Sequence, residues 1–101
     1  MDIVIYTNPE TLLHKTTPNL YCWWDMKRVP KDFEVGDRIY FVVKKEVRGY
    51  FVSNYFDPAC TEHAIEWDSD TWTPIDGVHE WMFCEPFRGF RYRWWDLQEE
   101  D

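Results

Sequence analysis

The sequence predicts a mainly β (α+β) fold: a small pseudo-barrel of six or seven short strands with one or two short helices. Three observations carry that expectation. The stretch Phe33–Ser53, FEVGDRIYFVVKKEVRGYFVS, alternates with period two on both sides of a polar turn, the pattern of paired strands. The other apolar runs are short and separated by turn residues such as Asp57-Pro58 and Asp76-Gly77. At 101 residues, the chain is long enough for one core and too short for two, so residues 1–101 are read as a single domain.

Taken in order, Ile3, Val4, Ile5 and Tyr6 read as a first strand. Asn8-Pro9-Glu10 then offers an N-cap, a proline at the first helical position and an acid in the first turn. A helix of one or two turns would run from Thr11 to Lys15 and stop at Thr16-Thr17-Pro18. Leu20 to Asp25 reads as strand or as the start of a helix; the extended form is preferred because it puts Leu20, Cys22 and Trp24 on one face. Arg28 to Asp32 connects to the hairpin.

In the hairpin, Ile39, Phe41 and Val43 oppose Arg38, Tyr40 and Val42, and Val47, Gly49, Phe51 and Ser53 oppose Arg48, Tyr50 and Val52. The reversal is expected at Lys44-Lys45-Glu46, Gly36 where φ is positive, and Gly49 where a ring or backbone approaches closely. Beyond it, Asn54 to His63 is irregular and Ala64 to Trp67 reads as strand. Trp72 to Ile75 contains a proline and is expected at an edge. The alternation of Val78, Glu80 and Met82 with His79, Trp81 and Phe83 predicts another strand, and Phe90 to Trp95 a last one before the acidic end.

The hairpin carries a resemblance. An apolar lead-in (Phe33, Val35), then Gly36-Asp37, Arg38 to Phe41, a polar turn and Val47 to Val52 resembles the central hairpin of PUA-like domains, the superfamily of the PUA, ASCH and EVE groups. Trp72-Thr73-Pro74-Ile75 and Phe87-Arg88-Gly89-Phe90 are similar to later segments of small members. The resemblance covers about half the chain and implies a PUA-like pseudo-barrel. The Gly-x-Lys-x-x-Glu-x-Arg signature of many ASCH domains is absent.

Composition narrows the function. The net charge of −8 argues against a general nucleic-acid coat, which would be basic. Aromatic content is 20%, and seven Trp residues cannot all bury their N–H groups without acceptors, so some rings are expected exposed or in a cleft. Three Cys give no disulfide framework and no secretory leader opens the chain, so a reduced, cytoplasmic setting is expected. No apolar run reaches membrane-spanning length.

Against that acidic background, residues 87–95 reverse the charge: Arg88, Arg91 and Arg93 are interleaved with Phe87, Phe90, Tyr92, Trp94 and Trp95, with no acid. Guanidinium groups fork phosphate and rings stack on bases, so the pattern suits a nucleotide. The alternative is that these arginines pair with carboxylates or stack on neighbouring rings and only solubilise the strand. A second arrangement is an aromatic cage drawn from Trp23, Trp24, Trp72, Trp94 and Trp95, since neighbours in a strand face opposite ways and each adjacent pair can turn one ring outward. Such a cage grips a flat base or a methylated cation; the resemblance to EVE domains implies a modified base. The plainer alternative is that a small barrel fills itself with rings. Arg48 and Tyr50, on the hairpin's second strand, complete the set of ligand-contact candidates: Trp23, Trp24, Arg48, Tyr50, Trp72, Arg88, Arg91, Arg93 and Trp95.

Other chemistries find little support. Cys60-x-x-His63 has ligand spacing but no second close pair, so no metal and no cofactor are assigned. No nucleophile elbow, phosphate loop or paired His-Glu motif is present, and no catalytic residue is assigned. The expected function is a binding module for a nucleotide, or for a modified base in RNA or DNA. One alternative is a protein-interaction module, viral or regulatory, whose acidic surface meets a basic partner; the run of six carboxylates from Glu62 to Glu80, with no Lys or Arg, reads as a solvated face that repels a phosphate backbone. Another is a small ASCH-like amidohydrolase acting on a modified nucleoside through Lys15 with Thr16 or Thr17, as that resemblance would imply.

Overall fold

A computed structural model describes residues 1–100. It is mainly β: β1 (Ile3–Tyr6), β2 (Tyr21–Trp24), β3 (Arg38–Val43), β4 (Glu46–Phe56), β5 (Ile65–Asp68), β6 (Thr73–Pro74) and β7 (Phe90–Tyr92), with one α-helix, α1 (Pro9–Lys15). The strands form one mixed sheet in the order β2-β5-β4-β3-β1-β7, and β6 adds to β4. Among the described residues, only β1 and β3 pair in parallel. The connection between them carries α1 and β2, as a parallel crossover requires.

The hairpin of β3 and β4 is the centre. Its turn is Lys44-Lys45, both with positive φ (52° and 65°), while Glu46 already pairs with Val43. Two lysines therefore adopt a mirror-image hairpin turn that usually selects Asn or Gly. Gly36 has the expected positive φ of 97°. Helix α1 begins as its sequence implies, with Asn8 accepting from the Thr11 N–H at 2.7 Å and Pro9 in the first turn.

Both faces of β3 are buried, because the sheet separates two cores. On one side, Ile3, Ile5, Ile39, Phe41, Phe51, Ile65, Trp67 and Phe90 pack together. On the other, Val4, Tyr40, Val42, Val47, Met82 and Trp95 do so. Each such side chain contributes about 1.5–3 kcal/mol through burial. The alternation within β1 and β3 thus assigns residues to two apolar layers, and a strand buried on both faces reads as an apolar run.

Two expected strands differ. Glu80–Met82 is a single 3-10 turn, closed by the Met82 N–H to His79 O at 3.0 Å, and a lone bridge joins Phe83 to Glu46. Beside the start of β4 the segment makes only that bridge and the Cys84 N–H to Lys45 O bond, so residues 80–82 satisfy their backbone locally and Met82 enters the second core. The last strand stops at Tyr92, after which the Arg93 N–H donates to Asp2 O and the chain turns across the sheet. A further 3-10 turn spans Leu97–Glu100. Among the described residues, no helix is long and apolar enough to cross a membrane.

Candidate nucleotide cleft

The sheet curls without closing. Its two outer strands in the pairing order are β2 and β7, and the segments next to them face each other across a cleft of about 530 Å³. One wall follows β2: Trp24, Asp25, Met26, Lys27 and Arg28. The opposite wall is the turn before β7, Arg88 and Gly89, and the floor is Ile5 and Tyr6 at the end of β1. A seam in an incompletely closed barrel is a common place for a small ligand, and this volume suits one.

The walls are held by contacts outside the cleft. The Met26 N–H donates to Thr61 O at 2.7 Å and the His63 N–H to Asp25 Oδ1 at 2.8 Å, which pins the 25–26 segment to the loop before β5. Trp24 packs edge-on against Phe41 at 5.4 Å. Lys15 comes from the end of α1, donates to Trp23 O at 3.0 Å and holds its ammonium 5.5 Å from the rings of both Trp24 and Trp67. Burial pushes its pKa down, partly offset by Asp25. The Lys15 stem and ammonium therefore brace the wall from behind. On the far wall, Gly89 has φ 71°, which lets the chain turn at Arg88-Gly89 and enter β7.

Electrostatically, the cleft stands apart from the acidic surface. Lys27, Arg28 and Arg88 line it, and among the described residues none of the three lies in an ion pair. The Arg28 guanidinium rests 4.7 Å from the Phe90 ring centre. Asp25 keeps its second carboxylate oxygen available as an acceptor, since only Oδ1 takes the His63 N–H. The combination places an indole, three cations and one acceptor around a single volume, while the Tyr6 hydroxyl accepts the Lys45 N–H at 2.6 Å and its ring packs on Phe87.

Of the nine candidate residues, Trp24 and Arg88 meet here. The others are dispersed. Arg48 and Trp72 line a groove beside α1 with Leu12, Leu13 and Thr16, and the Trp72 ring also packs on Phe51 at 4.9 Å. Tyr50 lines a third basin under the Arg38 guanidinium, 4.1 Å from its ring centre. Trp23 is exposed and stacks on His63 at 4.5 Å. Arg91 is exposed and rests on Phe87 at 4.7 Å.

Arg93 and Trp95 correct the expected arginine–aromatic ligand face. Arg93 pairs with the buried Asp2 at 3.0 Å and donates to Trp95 O. Trp95 is 4% exposed, stacks on Trp81 at 4.3 Å and donates its N–H to Glu100 at 2.8 Å. The strand ends at Tyr92, so neither residue continues the alternation expected to run to Trp95. Of the three arginines in residues 87–95, one pairs with an acid, one stacks on a ring and one enters the cleft.

The indole accounting comes out similarly divided. Trp81, Trp94 and Trp95 donate their N–H groups to protein acceptors, whereas the Trp67 N–H is buried with no partner. Sequence reasoning missed Tyr6, Asp25, Lys27 and Arg28. The signal was Asp25-Met26-Lys27-Arg28 following directly on the Trp pair, a change from rings to cations inside what read as a connector. Thr16 lines the α1 groove, the Thr17 hydroxyl donates to Leu13 O, and Lys15 donates to Trp23 O. Cys60 donates to Asp57 at 3.1 Å, and His63 is occupied by its stack on Trp23.

No family model, curated protein or solved structure matches the chain.

Proposed function

We propose that the chain is a PUA-like binding module whose seam cleft takes a nucleotide, or a single modified base presented by RNA or DNA. The observation that carries this reading is the convergence on Trp24 of three cations that form no ion pair among the described residues, in a chain of net charge −8. Such a local reversal steers an anion to one opening and away from the remaining surface. In the bound state the base lies against the Trp24 indole, Arg28 and Arg88 meet phosphate oxygens, and the free oxygen of Asp25 accepts from an amino or imino edge of the base. The hairpin's resemblance to PUA-like domains, EVE domains among them, agrees with a base-sized ligand. No step of this binding needs a catalytic residue or a cofactor. The reading extends to a reducing, cytoplasmic setting in which Cys22, Cys60 and Cys84 stay thiols.

The test is an amide chemical-shift titration with nucleoside monophosphates and short single-stranded oligonucleotides. The expected result is saturable movement of the Ile5, Tyr6, Trp24–Arg28, Arg88 and Gly89 signals. Saturable binding that leaves those signals in place, or no binding of any of these probes, refutes the reading.

A further inference from the structure

Strand β2 has a second side. Tyr21 and Trp23 turn outward while Cys22, between them, is buried. Strand pairing sets Tyr21 opposite Asp68, and Trp23 opposite Glu66, which in turn faces Tyr55 on β4. Two rows therefore cross the outer face of β2, β5 and β4. In the first, the Tyr21 hydroxyl donates to Asn54 at 2.9 Å and Asn54 donates to Asp68 at 3.3 Å. In the second, Trp23, Glu66 and Tyr55 lie side by side, and His63 stacks on Trp23.

The three aromatic residues are among the exposed large hydrophobics, at 48%, 44% and 42% for Tyr21, Trp23 and Tyr55. Rings gathered on one open face mark a contact surface more often than rings scattered singly. Charge says what the contact is. Neither Glu66 nor Asp68 lies in an ion pair among the described residues. Desolvation, then Glu66 and Asp68, push the Tyr21 phenol up to about 12, and Asp57 is the chief cause of a raised Tyr55. The face is thus complementary to a cation and hostile to a phosphate backbone.

We propose that this face docks an extended protein segment carrying arginine or lysine at alternate positions. A guanidinium can rest on an aromatic ring while its N–H groups fork a neighbouring carboxylate: the first row supplies Tyr21 with Asp68 and the second Tyr55 with Glu66, since Trp23 already carries His63 on its ring face and the Lys15 ammonium 5.8 Å from its centre. Tyr21 and Trp23 are two residues apart in a strand, so the rows are spaced by about 6.6 Å, which is also the spacing of alternate side chains in an extended peptide. Binding is through side chains, because Lys15 already donates to the Trp23 carbonyl at the strand edge. The surface is independent of the cleft: Trp23 and Trp24 leave β2 on opposite sides, and the two occupants carry opposite charge.

The experiment uses the full chain and a hexapeptide alternating arginine with threonine, followed by amide shifts. The expected result is saturable movement confined to Tyr21–Trp23, Asn54, Tyr55 and Glu66–Asp68, with affinity falling about tenfold in Tyr55→Ala and in the double variant Glu66→Gln/Asp68→Asn. Arg88→Ala should leave it unchanged. The double variant removes two charges and keeps every ring and the acceptor for Asn54, so it remains informative if Tyr55→Ala is poorly folded. The proposal is overturned by an absence of saturable binding up to about 1 mM peptide, by movement elsewhere, or by unaltered affinity in the double variant. Equal binding of a glutamate–threonine hexapeptide, or of a single-stranded oligonucleotide on the same amides, overturns it too.

Discussion

Gly49 lies directly beneath Trp72: a Cβ placed on Gly49 would stand 2.7 Å from Cη2 of the indole and 2.5 Å from the Thr73 carbonyl oxygen. Short strand β6 pairs at this point, Pro74 opposite Gly49, so ring and backbone both close over the same atom. Gly49→Ala is expected to lower stability by about 1–3 kcal/mol through overpacking. A shift of the urea midpoint to lower concentration checks this, and an unchanged midpoint would contradict it.

The ion pair between Arg93 and Asp2 is structural. Asp2 is buried, and its other carboxylate oxygen accepts the Arg38 N–H at 2.7 Å. Arg93→Ala leaves that carboxylate without its charged partner and is expected to cost about 2–3 kcal/mol. Ligand affinity, measured where the variant is still folded, should match the parent. A loss of affinity without a loss of stability would move Arg93 into the binding site.

Thiol reactivity separates Cys60 from Cys22. Cys22 is buried and burial pushes its pKa up; Cys60 is exposed, and its hydrogen bond to Asp57 pushes it up. A raised pKa means less thiolate at neutral pH, hence slower alkylation. In the native protein Cys60 should react slowly and Cys22 only after unfolding. Asp57→Ala removes the acceptor and its charge, so the Cys60 pKa falls and its reaction at neutral pH quickens. The two proteins should converge at high pH, where both thiols are ionised. Equal rates at neutral pH would contradict the assigned hydrogen bond.

Much of the fold was legible where local and tertiary demands agree. The β3–β4 alternation, the Asn8-Pro9 helix start, the positive φ at Gly36 and the crowded Gly49 all followed from residue types and spacing. The turn was legible as a turn but not as its type, since Lys44 and Lys45 adopt positive φ without the usual residues. Val78 to Phe83 alternates like a strand, yet a strand also needs a neighbour, and sequence does not say which edges are free. Trp95 shows the same limit from the other side. Its burial depends on Trp81 and Glu100 arriving from elsewhere in the chain. The site suffered most: Tyr6, residues 25–28 and Arg88 come from three separate segments, joined only by the curl of the sheet.

The most direct measurement of the central claim is affinity for a short single-stranded oligonucleotide across a salt series, in the parent and in Arg28→Ala, Arg88→Ala and Trp24→Leu. Loss of one phosphate contact should weaken binding and flatten the slope of log affinity against log salt by roughly 0.7 in either arginine variant. Trp24→Leu should cost roughly 1–3 kcal/mol with the slope intact, because stacking releases no counterions. Affinities and slopes that are the same in all four proteins would contradict the cleft as the binding site.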